Sequence, residues 1–352
     1  MSYHLFVVDE ISLRYHIEYG FVGTGNSSNN FNIGLWEDIA RLKIGDKIVF
    51  YVQKTKKFYG FFKVDSPPFY DTTHYLQPNP LPYLGEDDDV ILQYKALIVP
   101  DIVFSNGIDE FDLVDILPNN VTDILWSILY RKLKGGRGCS PIFPHEYQVI
   151  FNRLLQINNS TQLAGNNFSF NGNQILSSMA NMSYSGTGIN PNIKNIILSG
   201  NYTEHHLHAL LIEHLPNLIF PNSIWLGNEV YSGAGMQAMD ILSLDSNGIF
   251  NIVEVKKDEI SPNITYQVFK YIQWLQARFQ NFIPQYFQPI VIGYAIQGNT
   301  KRISRKNEFI NFNIQNISLP IKYFEYELMG AGIQFNQIGY VNNWTILGST
   351  VV

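Results

Sequence analysis

The stretch from Ala238 to Lys256 reads AMDILSLDSNGIFNIVEVK, and its pattern decides the fold of the C-terminal half of the chain. Apolar runs at Met239–Leu244 and Ile249–Val255 flank Asp245-Ser246-Asn247-Gly248, a turn sequence, so the whole reads as a β-hairpin. Asp240 begins one strand and Glu254 ends the next, which brings both carboxylates to one end of the hairpin. Side chains repeat every two residues along a strand, so Glu254 and Lys256 share a face. Two carboxylates and a lysine around one point suit phosphodiester hydrolysis. Hard oxygens hold Mg2+, and the metal and the lysine activate a water and stabilise charge on phosphate.

Working outward, Thr203 can cap a helix over Glu204–His214, and Ile224–Tyr231 is a strand. Ser261-Pro262 opens an amphipathic helix over Asn263–Phe279, on which Gln267 and Tyr271 lie four apart and share a face. Gln288–Ile296 (QPIVIGYAI) is a continuous apolar run, the mark of a buried central strand, and Ile321–Glu327 is a last core strand. Helix, three strands, helix, strand is an α/β arrangement.

With Glu204, Asp240, Glu254-Val255-Lys256, Gln267 and Tyr271 in this order, residues 204–275 resemble the PD-(D/E)XK nuclease superfamily, most closely the catalytic domain of archaeal-type mismatch endonucleases. The resemblance implies a restriction-endonuclease-like α/β core over residues 196–352. It also implies that Asp240, Glu254 and the Val255 carbonyl bind Mg2+, with Mn2+ able to substitute. Lys256 is implied to orient the attacking water and Glu204 to complete the metal site. Gln267 and Tyr271 are implied to support the shell or touch phosphate, while Lys257 faces away or contacts the DNA backbone. The mismatch enzymes usually carry an arginine just before the strand aspartate. Gln237, Ala238 and Met239 stand here, which weakens the mismatch reading.

Residues 1–156 are rich in aromatic and β-branched residues. Strands are expected at Tyr3–Val8, Lys47–Val52, Phe58–Val64 and Val90–Ile98, with helices at Gly34–Leu42, Val121–Leu133 and Pro144–Leu155. The segment Leu42–Asp71 (LKIGDKIVFYVQKTKKFYGFFKVDSPPFYD), with Gly34–Ile39 before it and Leu129–Ile150 after, resembles the EVE and YTH branch of the PUA-like β-barrels. That resemblance implies a barrel with helices that reads nucleic acid by holding a flipped, modified base in an aromatic pocket. Trp36 would be a cage wall, Trp126, Tyr51 and Tyr59 its companions, and asparagines within Gly25–Asn32 would read a base edge. Between the halves, residues 157–195 are dominated by Asn, Ser and Gly and read as a linker, with Phe168, Phe170 and Ile175 as anchors.

Composition narrows the function classes. At net charge −6 the chain is no indiscriminate coat for nucleic acid, whose binding is driven by phosphate neutralisation. Any DNA surface must therefore be local. Three basic runs offer phosphate contacts: Lys54, Lys56 and Lys57; Arg131, Lys132, Lys134 and Arg137; and Lys301, Arg302, Arg305 and Lys306, read as a loop. A single cysteine, Cys139, leaves no internal disulfide and no Cys-based zinc site, and a reducing cytoplasm is expected. No run of about 18 apolar residues occurs, and the first residues read as a strand, not a signal peptide. His205, His206, His208 and His214 suggest zinc, but the spacing is not HExxH and a third ligand is not evident. Cys139 beside His145 lacks an orienting partner for thiol catalysis.

These readings combine into a two-domain, Mg2+-dependent restriction-type enzyme that acts on double-stranded DNA as a homodimer, with modification-dependent cleavage leading. The alternatives are a conventional restriction endonuclease, a mismatch or branch repair nuclease, and a non-catalytic reader with an inactive nuclease fold.

Overall fold

A computed structural model describes residues 1–26, 30–72, 91–114, 138–180, 183–184, 186, 188–214, 222–232, 237–279, 287–317, 319–341 and 343–352. They form a mixed α/β structure of two compact units, one ending at Pro191 and the other running from Asn192 to Val352. No described helix is long and apolar enough to cross a membrane.

The first unit runs β1 (Tyr3–Val8), α1 (Glu10–Tyr19), β2 (Phe21–Asn26), α2 (Ile33–Ala40), β3 (Lys47–Val52), β4 (Lys57–Val64), β5 (Phe69–Tyr70), β6 (Ile91–Pro100), β7 (Ile108–Asp109), α3 (Glu110–Val114), β8 (Cys139–Ile142), α4 (Pro144–Ile157), β9 (Phe168–Phe170) and β10 (Ile175–Ser177). The main sheet follows the order β2-β6-β4-β3-β1-β8, with β1 and β3 parallel. Among the described residues no ladder closes it into the expected barrel, but its two ends approach. A Cβ built on Gly138, just before β8, would lie 2.5 Å from the Thr24 hydroxyl on β2. Only a glycine fits there.

Helix α1 was not among the sequence expectations, yet its ends are well specified. The Asp9 side chain accepts from the Ile11 and Ser12 amides, and Gly20 closes the helix at φ 68°.

Of the expected linker 157–195, the residues up to Pro191 belong to this unit and the last four to the second. Phe168, Phe170 and Ile175 are buried, and β9 and β10 pair as a hairpin. The Asn158 side chain bridges the Asn106 amide and carbonyl, Tyr59 donates to the Asn173 carbonyl, Tyr184 donates to Asp71, and Ile189 bridges Tyr70. Asparagine-rich composition resembles a linker, but asparagine side chains can also satisfy buried backbone, which is their use at Asn158.

The second unit contains α5 (Ile193–Leu198), α6 (Glu204–His214), β11 (Ser223–Tyr231), β12 (Ala238–Asp245), β13 (Phe250–Val255), α7 (Ile264–Phe279), β14 (Phe287–Tyr294), α8 (Asn299–Asn316), β15 (Lys322–Met329), β16 (Gly332–Gly339) and β17 (Thr345–Val351). One seven-stranded sheet runs β11 to β17 in sequence order. Its β13-β14-β15 core is parallel and the flanking pairs are antiparallel. Central strand β14 is buried at every residue but Tyr294, as its unbroken apolar run requires. The C-terminal residues that follow β15 extend this sheet.

His16 gives the first unit a pH signature. It is buried against the Phe21 and Phe50 rings, and its Nδ1 lies 2.9 Å from the Phe21 carbonyl oxygen, to which it donates. Burial pushes its pKa down to about 4, with the Phe21 carbonyl opposing. The folded state keeps the ring neutral where the unfolded chain takes up a proton. This contribution is therefore whole above pH about 6.5 and is lost as pH falls toward 4, at about 1.4 kcal/mol per pH unit. Denaturant melts of wild type and His16→Asn between pH 7 and 4.5 should show a shallower acid loss in the variant. Parallel curves would contradict the assignment.

Candidate active site

Five segments converge at the end of β13. The β12–β13 ladder pairs Ile241 with Val253, so Asp240 and Glu254 come to the same end of the hairpin. The Val255 amide donates to Asp240 Oδ2 at 2.7 Å, which locks the carboxylate onto the neighbouring strand. Glu254 is wholly buried. The Lys256 ammonium lies 2.8 Å from Glu254 Oε1, 3.6 Å from Glu204 Oε2 and 3.8 Å from Asp240 Oδ2. Glu204, the first residue of α6, also accepts from the Lys257 amide at 3.4 Å.

Helix α7 closes the cluster from the side. Gln267 Nε2 donates to Glu254 Oε1 at 2.6 Å and lies 2.8 Å from the Tyr271 hydroxyl, which in turn donates to the Ala238 carbonyl at 2.7 Å. Burial, and then Glu254, push the Tyr271 phenol above its usual range, so it remains a donor. The six side chains expected in the site thus stand together.

Electrostatics separate the roles. Burial first, and Asp240 next, push the Glu254 carboxyl well above the usual carboxylate range. For Lys256, burial opposes the charge, but Asp240, Glu254 and Glu204 outweigh it and hold the ammonium above its ordinary range. At neutral pH Lys256 is therefore a cation and a donor, not a base. Glu254 Oε2 is buried without a hydrogen-bond partner among the described residues. An orphaned buried acceptor costs about 1–3 kcal/mol, more if charged. A hard divalent cation shared with Asp240 fits this donor set.

Two neighbours were missed in the sequence. His208 is buried with its Nε2 3.7 Å from Asp240 Oδ2; its position four residues after Glu204 on one helix face was the available signal. Tyr326 meets the Tyr202 hydroxyl at 3.0 Å and donates to the Lys257 carbonyl, fixing the chain just after Lys256, while the Lys257 ammonium lies 4.9 Å over the Tyr202 ring. No local pattern announces that contact, because Tyr202 and Tyr326 are 124 residues apart.

The expected nucleic-acid contacts fare unevenly. Lys54 and Lys56 are exposed between β3 and β4, and Lys57 reaches the Asn173 side chain at 3.4 Å. The run 301–306 is part of helix α8, not a loop. Lys301 pairs with Glu259 at 2.5 Å, and Arg302 lies 3.4 Å from Glu325 Oε2. Arg305 is buried and donates to the Ile260 carbonyl and to Tyr323 OH, so its charge is not offered to DNA. The reason is helical spacing, since Arg305, Phe309 and Phe312 share the inward face. Trp36, Tyr51 and Tyr59 are core residues with almost no exposed surface, and Tyr51 donates to Glu110 at 2.5 Å. They are not cage walls in this conformation. Trp126, Arg131, Lys132, Lys134 and Arg137, with the expected helix at 121–133, lie outside the described residues. Cys139 is fully buried with its sulfur 3.9 Å from Arg41 Nη2.

No family model and no curated protein matches the chain. Among solved structures, it is similar to a hypothetical protein from Leishmania major, with 14% identity and a TM-score of 0.32 over 45% of this chain and 96% of that one. It is also similar to human THYN1 protein in complex with 5-methylcytosine-containing DNA, with 13% identity and a TM-score of 0.28 over 44% and 98%. A third is the YTH domain of Zygosaccharomyces rouxii MRB1 protein in complex with N6-methyladenosine RNA, with 17% identity and a TM-score of 0.25 over 43% and 86%.

A cation between Asp240 and Glu254 should stabilise the fold by mass action, by about 2.7 kcal/mol at about 100 times its Kd. Thermal melts with and without Ca2+ should show the gain in wild type and lose most of it in Glu254→Gln. An equal gain in both proteins would place the ion elsewhere.

Proposed function

We propose that the C-terminal unit hydrolyses DNA phosphodiester bonds with Mg2+, and that the N-terminal unit reads the nucleic acid, with a modified base as its leading target. The observation that supports cleavage is the convergence of a held, charged lysine on three carboxylates, one of them buried with an unpartnered oxygen. A purely structural ion pair has no use for a third acid or for an orphaned acceptor. The reading role rests on the sequence resemblance of Leu42–Asp71 and on the exposed lysines between β3 and β4.

Asp240 and Glu254 would hold the metal, with the Val255 carbonyl and Glu204 completing its surroundings. When bound, Mg2+ supplies Lewis acidity toward a phosphate oxygen and lowers the pKa of a water. Gln267 fixes the Glu254 carboxylate, and Tyr271 fixes Gln267 and the start of β12. Lys256 donates to the attacking water or to a phosphate oxygen, its positive charge opposing the negative charge that builds up as the bond breaks. Cutting both strands needs a second copy of the site or a rebinding step, and a two-fold homodimer that supplies the second copy belongs to the proposal.

The test is digestion of plain, 5-methylcytosine and 5-hydroxymethylcytosine DNA with Mg2+, comparing wild type with Lys256→Ala. Cleavage should depend on metal, fall by about 100-fold or more in the variant, and favour one modified substrate. Equal cutting of all three would remove modification dependence. Metal-dependent cutting that survives in Lys256→Ala would remove the assigned site. Binding without cutting would leave the non-catalytic reader.

A further inference from the structure

Lys54, Lys56 and Lys57 stand at the tight turn between β3 and β4, and their surroundings are specific. Elsewhere in the first unit Arg14, Arg41, Lys47 and Arg153 each lie within ion-pair distance of a carboxylate. Among the described residues none of the three turn lysines does, in a chain of net charge −6. Two of them have neighbours of another kind. The Lys56 ammonium lies 5.2 Å over the ring of Phe111 on α3. The Lys57 ammonium lies 3.4 Å from Asn173 Oδ1, at the tip of the β9–β10 hairpin.

Both neighbours are held in place. Strand β7 pairs with β4, and the Glu110 amide donates to the Lys56 carbonyl at 2.8 Å, which seats the start of α3 on the turn. At the hairpin tip, Asn171 Oδ1 accepts from the Asn173 and Gln174 amides, and Tyr59 donates to the Asn173 carbonyl. The acids of this face are engaged: Asp109 accepts from the Phe111 amide, Glu110 from Tyr51, and Asp112 lies 3.8 Å from Arg153. Lys56 itself adopts φ 54°, a backbone region that favours glycine, so a side chain is kept there against local preference. Phe111 is 56% exposed. A lone exposed apolar residue is ordinary, but this ring is exposed beside three lysines that no acid offsets.

We propose that the β3–β4 turn, Phe111 and the β9–β10 tip form a contact surface for an unpaired segment of a DNA strand, with a base stacked on Phe111 and phosphates at Lys54, Lys56 and Lys57. The inference rests on the reading role proposed above and adds a second contact to it. The hairpin lies beyond the stretch whose sequence resembles a nucleic-acid reader, so the asparagine-rich segment gains a use: Asn173 holds Lys57 at the surface. Lysines neutralise phosphate whatever the strand. The ring discriminates, because an unpaired base offers its face for stacking and a base within a duplex does not. Surface lysines beside an exposed aromatic are the combination that single-strand binding uses.

The experiment titrates the full chain, without divalent metal, into a short fluorescent DNA strand and into the duplex made from it, read by anisotropy at several salt concentrations. Phe111→Ala, a change at an exposed side chain, should weaken strand binding about fivefold or more and leave duplex binding within about twofold. Phe111→Tyr should restore the strand binding. Lys54→Ala combined with Lys56→Ala should weaken both and lower the salt slope by about 1 for each lysine. Asn173→Asp, which sets a carboxylate beside Lys57, should weaken both about twofold or more. Strand binding unchanged in Phe111→Ala overturns the proposal and leaves the reading role standing. A wild type that binds neither strand nor duplex, plain or 5-methylcytosine, overturns both.

Discussion

One buried carboxyl, that of Glu254, sets the terms for the second unit. It is wholly buried at the end of a core strand, beside a second acid, and only fixed partners can offset that cost. Lys256 and Gln267 both reach Oε1, at 2.8 and 2.6 Å, while Oε2 has no protein partner among the described residues. Such a group is expensive to keep in a core. The surrounding elements can be understood by how they support it. The β12–β13 register brings Asp240 alongside, α7 brings Gln267 and Tyr271, α6 brings Glu204, and β15 fixes the Lys257 carbonyl through Tyr326.

The same geometry explains why Lys256 need not act as a base. Three acids hold its proton, so in the proposed reaction it would contribute charge and donation at a fixed point. If the site cleaves a phosphodiester, as proposed, such a fixed cation would stabilise developing negative charge without reorganising.

Much of this was legible in the sequence because it is local or periodic. The hairpin around Asp245–Gly248 fixes Asp240 and Glu254 by register, and the four-residue spacing fixes Gln267 with Tyr271. What was not legible depends on contacts between distant residues. The basic run 301–306 resembles a loop when taken alone, and it is Phe309 and Phe312, further along, that define the buried face of helix α8. Arg305 is a surface residue by composition and a core strut by its bonds to Tyr323 and the Ile260 carbonyl. Trp36, Tyr51 and Tyr59 were matched to a pocket by analogy, and packing made them core. The stretch 157–195 reads as a linker by composition, but an asparagine-rich stretch can be either a tether or a way to satisfy buried backbone, and the burial of Phe168, Phe170 and Ile175 favours the second.

The central claim is that Asp240 and Glu254 share a divalent cation. Crystals of the full chain soaked in Mn2+ and measured near the manganese absorption edge test it directly. The account predicts an anomalous peak coordinated by carboxylate oxygens of both Asp240 and Glu254, with Lys256 beside it. A map with no peak there at saturating Mn2+, with Glu254 Oε2 still without a partner, would contradict it.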